Sequence, residues 1–200
     1  MGVPCAGCGR DYDAALFAFG RTITCECGRR VGLEPRVRAA GEDAGGDGPR
    51  FMVDAMLGRL ARWLRVLGFD AAWEADIADE RLVRRALDEE RWILTRDRAL
   101  PVEWRVPRVH LVAAEAPFEQ LREVARIFGL AAGARPFRRC TRCNALLEPI
   151  DARTAAARVP APVLARHAEF RHCPGCGRVY WAGSHAERMR RVVERALAPD

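Results

Sequence analysis

Between residues 51 and 112 the chain alternates short apolar runs with stretches of helical periodicity. Phe51-Met-Val53 is apolar and ends in Asp54. Behind it Leu57, Leu60, Leu64 and Leu67 recur at the spacing of one buried helical face, while Arg59, Arg62 and Arg65 step by three along a neighbouring arc. Residues 79–90 predict a second amphipathic helix, with Leu82, Val83, Ala86 and Leu87 on one side. Arg91-Trp-Ile-Leu-Thr95-Arg-Asp97 is a β-rich run that also ends in an aspartate, and Arg108-Val-His-Leu-Val112 predicts a further strand. The order strand, helix, strand, helix, strand argues for an α/β fold. A parallel sheet is covered by helices, and right-handed crossovers bring the carboxyl ends of all strands to one edge.

That edge gives the aspartates their interest. Ligands of open α/β sheets bind at the carboxyl ends of strands, so Asp54 and Asp97 are placed like ligands of a hard cation. Asp54 also adjoins a helix amino terminus, where the macrodipole favours an ionised carboxylate, and a simple N-cap accounts for it as well. In Glu74-Ala-Asp76-Ile-Ala-Asp79, Asp79 is the candidate third acid and Asp76 its substitute, with an N-cap role equally open for Asp79. Glu115, after the last strand, reads as a peripheral acid or a solvated loop residue. Arg59, Arg62, Arg65, Arg96 and Arg98 cluster in sequence around these acids. They suit the phosphates of a phosphodiester substrate, or else form a solvated face.

Composition adds limits. Two hundred residues, half of them hydrophobic, support one core with small accessory modules. No apolar run approaches the roughly 18–20 residues of a membrane span, and no apolar segment follows a basic one at the start, so the expectation is a cytoplasmic protein. The net charge of +6 suits a polyanionic partner, but all 33 basic residues are arginine. Codon composition alone can produce such a bias, so the positions of the arginines carry more weight than their number.

The eight cysteines form two quartets. Cys140-x-x-Cys143 with Cys173-x-x-Cys176 has the spacing of a zinc ribbon, closed by four thiolates and therefore structural. Asn144 and Gly177 follow its knuckles, where a left-handed residue lets backbone amides face sulfur. His172 is a substitute ligand or a surface histidine. Cys5-x-x-Cys8 with Cys25-x-Cys27 reads as a second zinc site with one tighter knuckle, Gly9 and Gly28 ending the two turns. Disulfides are the competing use, disfavoured without a secretion signal. A glycine-rich, acidic stretch at 37–49 reads as a flexible linker. Ser184 and Glu187 have capping-box spacing at the start of a last helix. Tyr180 and Trp181 suit either ribbon packing or stacking on bases.

The run from Val53-Asp54-Ala-Met-Leu-Gly-Arg-Leu-Ala-Arg-Trp-Leu-Arg65 through Leu94-Thr-Arg-Asp97, Gln120-Leu121, Cys140-Thr-Arg-Cys143-Asn144, Arg158-Val-Pro160 and Cys173-Pro-Gly-Cys176-Gly-Arg-Val-Tyr-Trp-Ala-Gly-Ser-His185 resembles the Mut-seven C-terminal RNase domain family. The resemblance spans about two thirds of the chain in order. It implies a PIN-like nuclease domain at 50–135 and a zinc ribbon with a helix at 136–200, preceded by a zinc-ribbon-like module at 1–36 that the resemblance does not cover. It further implies a ribonuclease dependent on Mg²⁺ or Mn²⁺, with Asp54, Asp97 and Asp79 as its acids. The alternative is a catalytically silent adaptor that binds RNA or ribosomes through its zinc modules.

Overall fold

The computed structural model of the protein describes residues 2–33 and 48–199. The stretch expected as a linker lies almost wholly outside the described residues. In chain order the strands are β1 (Gly2–Pro4), β2 (Asp11–Asp13), β3 (Ile23–Thr24), β4 (Arg30–Val31), β5 (Phe51–Val53), β6 (Ala71–Trp73), β7 (Trp92–Thr95), β8 (Val109–Leu111), β9 (Glu148–Ile150), β10 (Phe170–His172) and β11 (Val179–Trp181). The helices are α1 (Gly58–Val66), α2 (Asp79–Asp88), α3 (Leu100–Glu103), α4 (Pro117–Ile127), α5 (Ala152–Ala155), α6 (Ala161–Leu164) and α7 (Ser184–Leu197). The chain divides into two compact units. One takes in the N-terminal segment, Arg50–Gly58 and Trp73–Val112; the other takes in Arg59–Ala72 and the chain from Ala113 onward.

In the first unit, β1 pairs with β2 and β3 with β4, both antiparallel. These hairpins are too short to bury much, and their core is Phe17 and Val31 packed with the sulfurs of Cys5 and Cys25. The expected parallel sheet is present, in the order β6-β5-β7-β8. Phe51 lies opposite Trp92 and Val53 opposite Leu94, while Thr95 lies opposite Leu111 on the other side of β7. Every residue of β5 is buried, as expected of a central strand covered on both faces. Helix α2 packs against β5 and β7 and buries Leu82, Val83 and Ala86, the face its periodicity predicts. Strand β6 fills the place that the expected strand–helix order leaves between α1 and α2, although its three residues are too few to show a period.

The second unit contains the antiparallel sheet β11-β10-β9 and the helix pair α4 and α7. Helices α5 and α6 fill the connection between β9 and β10, and this segment contributes Ala155 and Val159 to a cluster around Phe170. That insertion accounts for the long gap between the two C-terminal cysteine pairs. Helix α7 begins at Ser184 with Gly183 as its N-cap, and no side chain caps it. The capping box read from Ser184 and Glu187 is therefore not formed. Ser184 already lies inside the helix, where its hydroxyl is out of register for the cap. Gly68, which follows α1, has φ +96°, and a Cβ there would sit 2.2 Å from the carbonyl oxygen of Arg135. Both the left-handed backbone and the close approach require glycine. Gly68→Ala is expected to destabilise the protein by about 2–3 kcal/mol, read as a lowered urea midpoint at unchanged slope.

Candidate acid site and metal centres

Asp54 follows β5 directly and is only 7% exposed. Its backbone amide continues the ladder to Leu94 at 3.0 Å. It stands in the N-cap position of a 3-10 turn, Ala55–Leu57, yet its side chain makes no capping bond. Its Oδ2 instead accepts a hydrogen bond from Thr95 Oγ1 at 2.5 Å, and that same hydroxyl accepts from the backbone amide of Asp97 at 2.9 Å. A single fully buried hydroxyl thus links the two aspartates that end adjacent parallel strands. Asp97 turns its Oδ1 to the amide of Ala99 at 2.8 Å.

Asp79 is the first residue of α2. The N-cap is Ala78, with no side-chain cap, so capping does not occupy Asp79. Its carboxyl is held above the ordinary carboxylate value, first by burial and then by the negative charges of Asp54, Asp97 and Glu103. The structure thereby brings Asp54, Asp79 and Asp97 into one electrostatic neighbourhood, with Glu103 as a further member. Among the described residues these carboxylates do not form a trio within 4.8 Å of one another, unlike the cysteines. Asp76 is exposed in a left-handed conformation with φ 55°. Glu74 pairs at 2.6 Å with both Arg81 and Arg85. Glu115 is exposed, and its backbone carbonyl accepts from Gln120.

The arginines behave differently from one another. Arg59, Arg62 and Arg96 are exposed. Arg65, expected among the phosphate-facing residues, is 4% exposed. Its Nε donates to Ala71 O at 2.8 Å and its Nη1 to Arg142 O at 2.8 Å and Thr141 O at 3.2 Å. A step of three leaves the arc near its edge after two turns, so the third arginine of the stripe rotates into the core. Arg65 is a structural cation that ties α1 to the first C-terminal cysteine knuckle. Asn144 in that knuckle adds a second tie: its Nδ2 donates to Asp70 Oδ1 at 2.7 Å, and its Oδ1 accepts from Ala71 N at 3.2 Å. Sequence reasoning missed Thr95, whose signal was a lone polar residue ending an apolar strand. It also missed Glu103, which sits in a four-residue helix with no readable period.

Each cysteine quartet brings four sulfurs within 4.8 Å of one another, a donor set that can hold zinc. Asn144 and Gly177 have φ of 72° and 71°, and Gly9 and Gly28 have 72° and 82°, the left-handed knuckle turns expected from sequence. Arg158 closes one turn by donating to Gly177 O at 2.8 Å. A hydrogen bond from the Tyr12 hydroxyl, with the backbone amide of Cys27, brings the Cys25 thiol down to about 6. Burial pushes Cys140 up, but the Tyr180 hydroxyl at 3.0 Å and the amides of Cys143 and Arg142 outweigh it and bring Cys140 to about 6. A metal ion held by such a quartet binds thiolates, so its binding would release protons. Tyr180 serves the cluster through this hydroxyl, while Trp181 is exposed.

The chain thus combines a parallel α/β sheet with acids at its carboxyl edge and two four-cysteine clusters that could hold zinc. The particular family follows from residues 49–193, which match the Mut7-C RNAse domain; that is most of the chain, and the chain belongs to this family. The N-terminal cysteine module lies outside the match. No curated protein and no solved structure shows significant similarity to the chain. Among the described residues no helix is long and apolar enough to cross a membrane.

Two outcomes are expected from these sites. Protein purified without chelator should carry two zinc ions per chain by elemental analysis, and Cys140→Ser should carry one, with a loss of several kcal/mol in stability. Arg65→Met should cost on the order of 3 kcal/mol by chemical denaturation, since it leaves three carbonyls without their charged donor. Unchanged stability would refute the structural role.

Proposed function

We propose that the protein is a divalent-metal-dependent ribonuclease that hydrolyses RNA phosphodiester bonds at Asp54, Asp79 and Asp97. The observation that carries this reading is the Thr95 hydroxyl joining Asp54 and Asp97 at the carboxyl edge of the sheet, in a chain of an RNase domain family. Neither Asp54 nor Asp79 spends its charge on a helix cap. The Asp79 carboxyl is raised first by desolvation and then by the negative charges of Asp54, Asp97 and Glu103, and a cation would relieve that second contribution. Hard carboxylate oxygens suit Mg²⁺ or Mn²⁺ rather than zinc. Such an ion, when bound, activates a water and neutralises the phosphoryl oxygens.

The chain's own residues do the rest. Asp54, Asp79 and Asp97 hold the cation. Thr95 orients the carboxylate of Asp54 and anchors the backbone at Asp97. Arg59, Arg62 and Arg96 are the cations proposed to seat neighbouring phosphates. Net charge of +6 brings the polyanion to the surface. The protein is further proposed to act in the cytoplasm.

Asp54→Asn and Asp97→Asn should each reduce cleavage of a mixed RNA pool by at least about 10³-fold, about 4 kcal/mol, while far-UV circular dichroism and zinc content stay those of the wild type. Cleavage by both variants at the wild-type rate would reject the site. Wild-type protein that binds RNA but leaves it intact with either metal would favour the zinc-ribbon adaptor.

A further inference from the structure

The turn that follows Asp54 is held from outside as well as from the core. Ala55–Leu57 is a single 3-10 turn, too short to persist on its own hydrogen bonds. Of its three side chains only Leu57 is buried, while Met56 stands 62% exposed. The amide of Leu57 donates to Asp54 O at 2.9 Å, so the main chain of the acid belongs to the turn and moves with it. The external hold is Trp73, the last residue of β6, the strand that neighbours β5 in the sheet. Its Nε1 donates to Ala55 O at 3.0 Å. An indole has one N–H to give, and here it goes to the residue next to the acid.

Gly58 shows how closely the ring is seated. Its φ of −58° and ψ of −28° are ordinary right-handed helical values that any residue adopts, and glycine is a poor helix former. The backbone therefore gives no reason for glycine at this position. The ring does, because a Cβ on Gly58 would lie 2.8 Å from Cε2 and Cζ2 of Trp73 and 3.1 Å from its Nε1. The indole cannot step back to make room without giving up its bond to Ala55. Trp73 is thus wedged against the start of α1 while bonded to the turn before it.

We propose that Trp73 is a positioning residue for Asp54: by clamping Ala55 O and seating its ring on Gly58, it fixes the turn that leaves β5 and so keeps the Asp54 carboxylate on the Thr95 hydroxyl, in place for the cation. This rests on the assignment of Asp54 as a cation ligand. Asp54 is held on the strand side by its amide on Leu94 O at 3.0 Å and at its carboxylate by Thr95. The turn is the third hold, and Trp73 is what stiffens it. A looser turn lowers the fraction of protein with the acid in place, and the apparent cation affinity falls by that fraction. The role needs no contact between Trp73 and either cation or RNA, as is common for outer residues that orient ligands.

The test is Mn²⁺ binding followed by electron paramagnetic resonance on the full-length, zinc-loaded protein, with hydrogen exchange at the Leu57 amide and RNA cleavage measured in parallel. Trp73→Phe keeps an apolar ring and removes the N–H. It should weaken Mn²⁺ about tenfold and speed exchange at Leu57 by a similar factor, with zinc content unchanged. Cleavage by this variant should drop at limiting Mn²⁺ and recover at saturating Mn²⁺, with KM for RNA unchanged. Gly58→Ala, which crowds the ring, should also weaken Mn²⁺ several-fold, and combined with Trp73→Phe it should be no weaker than the worse single variant, since both act through one clamp. Multiplicative losses in the double variant would overturn the proposal. So would wild-type Mn²⁺ affinity in Trp73→Phe with only the urea midpoint lowered, which would leave Trp73 a packing residue. If Gly58→Ala does not fold, Trp73→Phe decides alone. Failure of the acid assignment is separate, because Asp54→Asn would then bind Mn²⁺ as the wild type does; loss of Mn²⁺ in Asp54→Asn but not in Trp73→Phe overturns the clamp only.

Discussion

A carboxylate at the end of a fully buried strand has to find a partner for its charge, and in this protein the partner is the hydroxyl of Thr95. Asp54 emerges from β5 with little water around it, and an isolated ion there would be costly. Thr95 ends the adjacent strand, has no exposure, and donates to Asp54 while accepting from the amide of Asp97. The parallel register of β5 and β7 makes this contact available, because Val53 opposite Leu94 brings the two strand ends level. Shift either strand by one residue and the hydroxyl would point to the other face of the sheet. The acid edge therefore depends on the strand pairing, and the pairing on the buried apolar residues of both strands.

Charge balance elsewhere follows the same logic at other costs. The buried guanidinium of Arg65 is pushed below its ordinary value by burial, with Cys140, Cys143 and Asp70 opposing that push, and three carbonyls accept hydrogen bonds from it. The same atoms fasten α1 to the C-terminal ribbon. Glu74, by contrast, is neutralised by Arg81 and Arg85 at the surface of α2, where pairs of this kind contribute little to stability. At Asp79 the balance tips the other way, since the charges it feels from Asp54, Asp97 and Glu103 are all negative. Added to its desolvation, those charges hold the Asp79 carboxyl above its ordinary value.

The two cysteine quartets look alike and serve different neighbours. The C-terminal one is joined through Arg65 and Asn144 to the segment that leads from α1 to β6. The N-terminal one has a core of four buried residues, two of them cysteines, so metal has to supply what hydrophobic burial cannot. Its loop between knuckles lies along residues 102–105. In both modules the metal-binding turns carry the closing geometry, and the intervening chain makes the contacts.

The alternation of strands and helices, the parallel sheet, the aspartates at strand ends and both quartets were legible in the chain before any fold was known, because each is local: a period, a spacing or a left-handed turn is written in consecutive residues. The left-handed Asn144 and Gly177 were readable for that reason. Other outcomes waited on packing: which arginine of the stripe turns inward, that Thr95 joins two acids, that β6 enters the sheet as an edge, and that Ser184 begins a helix without capping it. These depend on what lies across from a residue in space. A helical arc three residues wide does not say where the core ends, and a threonine closing an apolar run does not say which carboxylate a second strand will bring beside it.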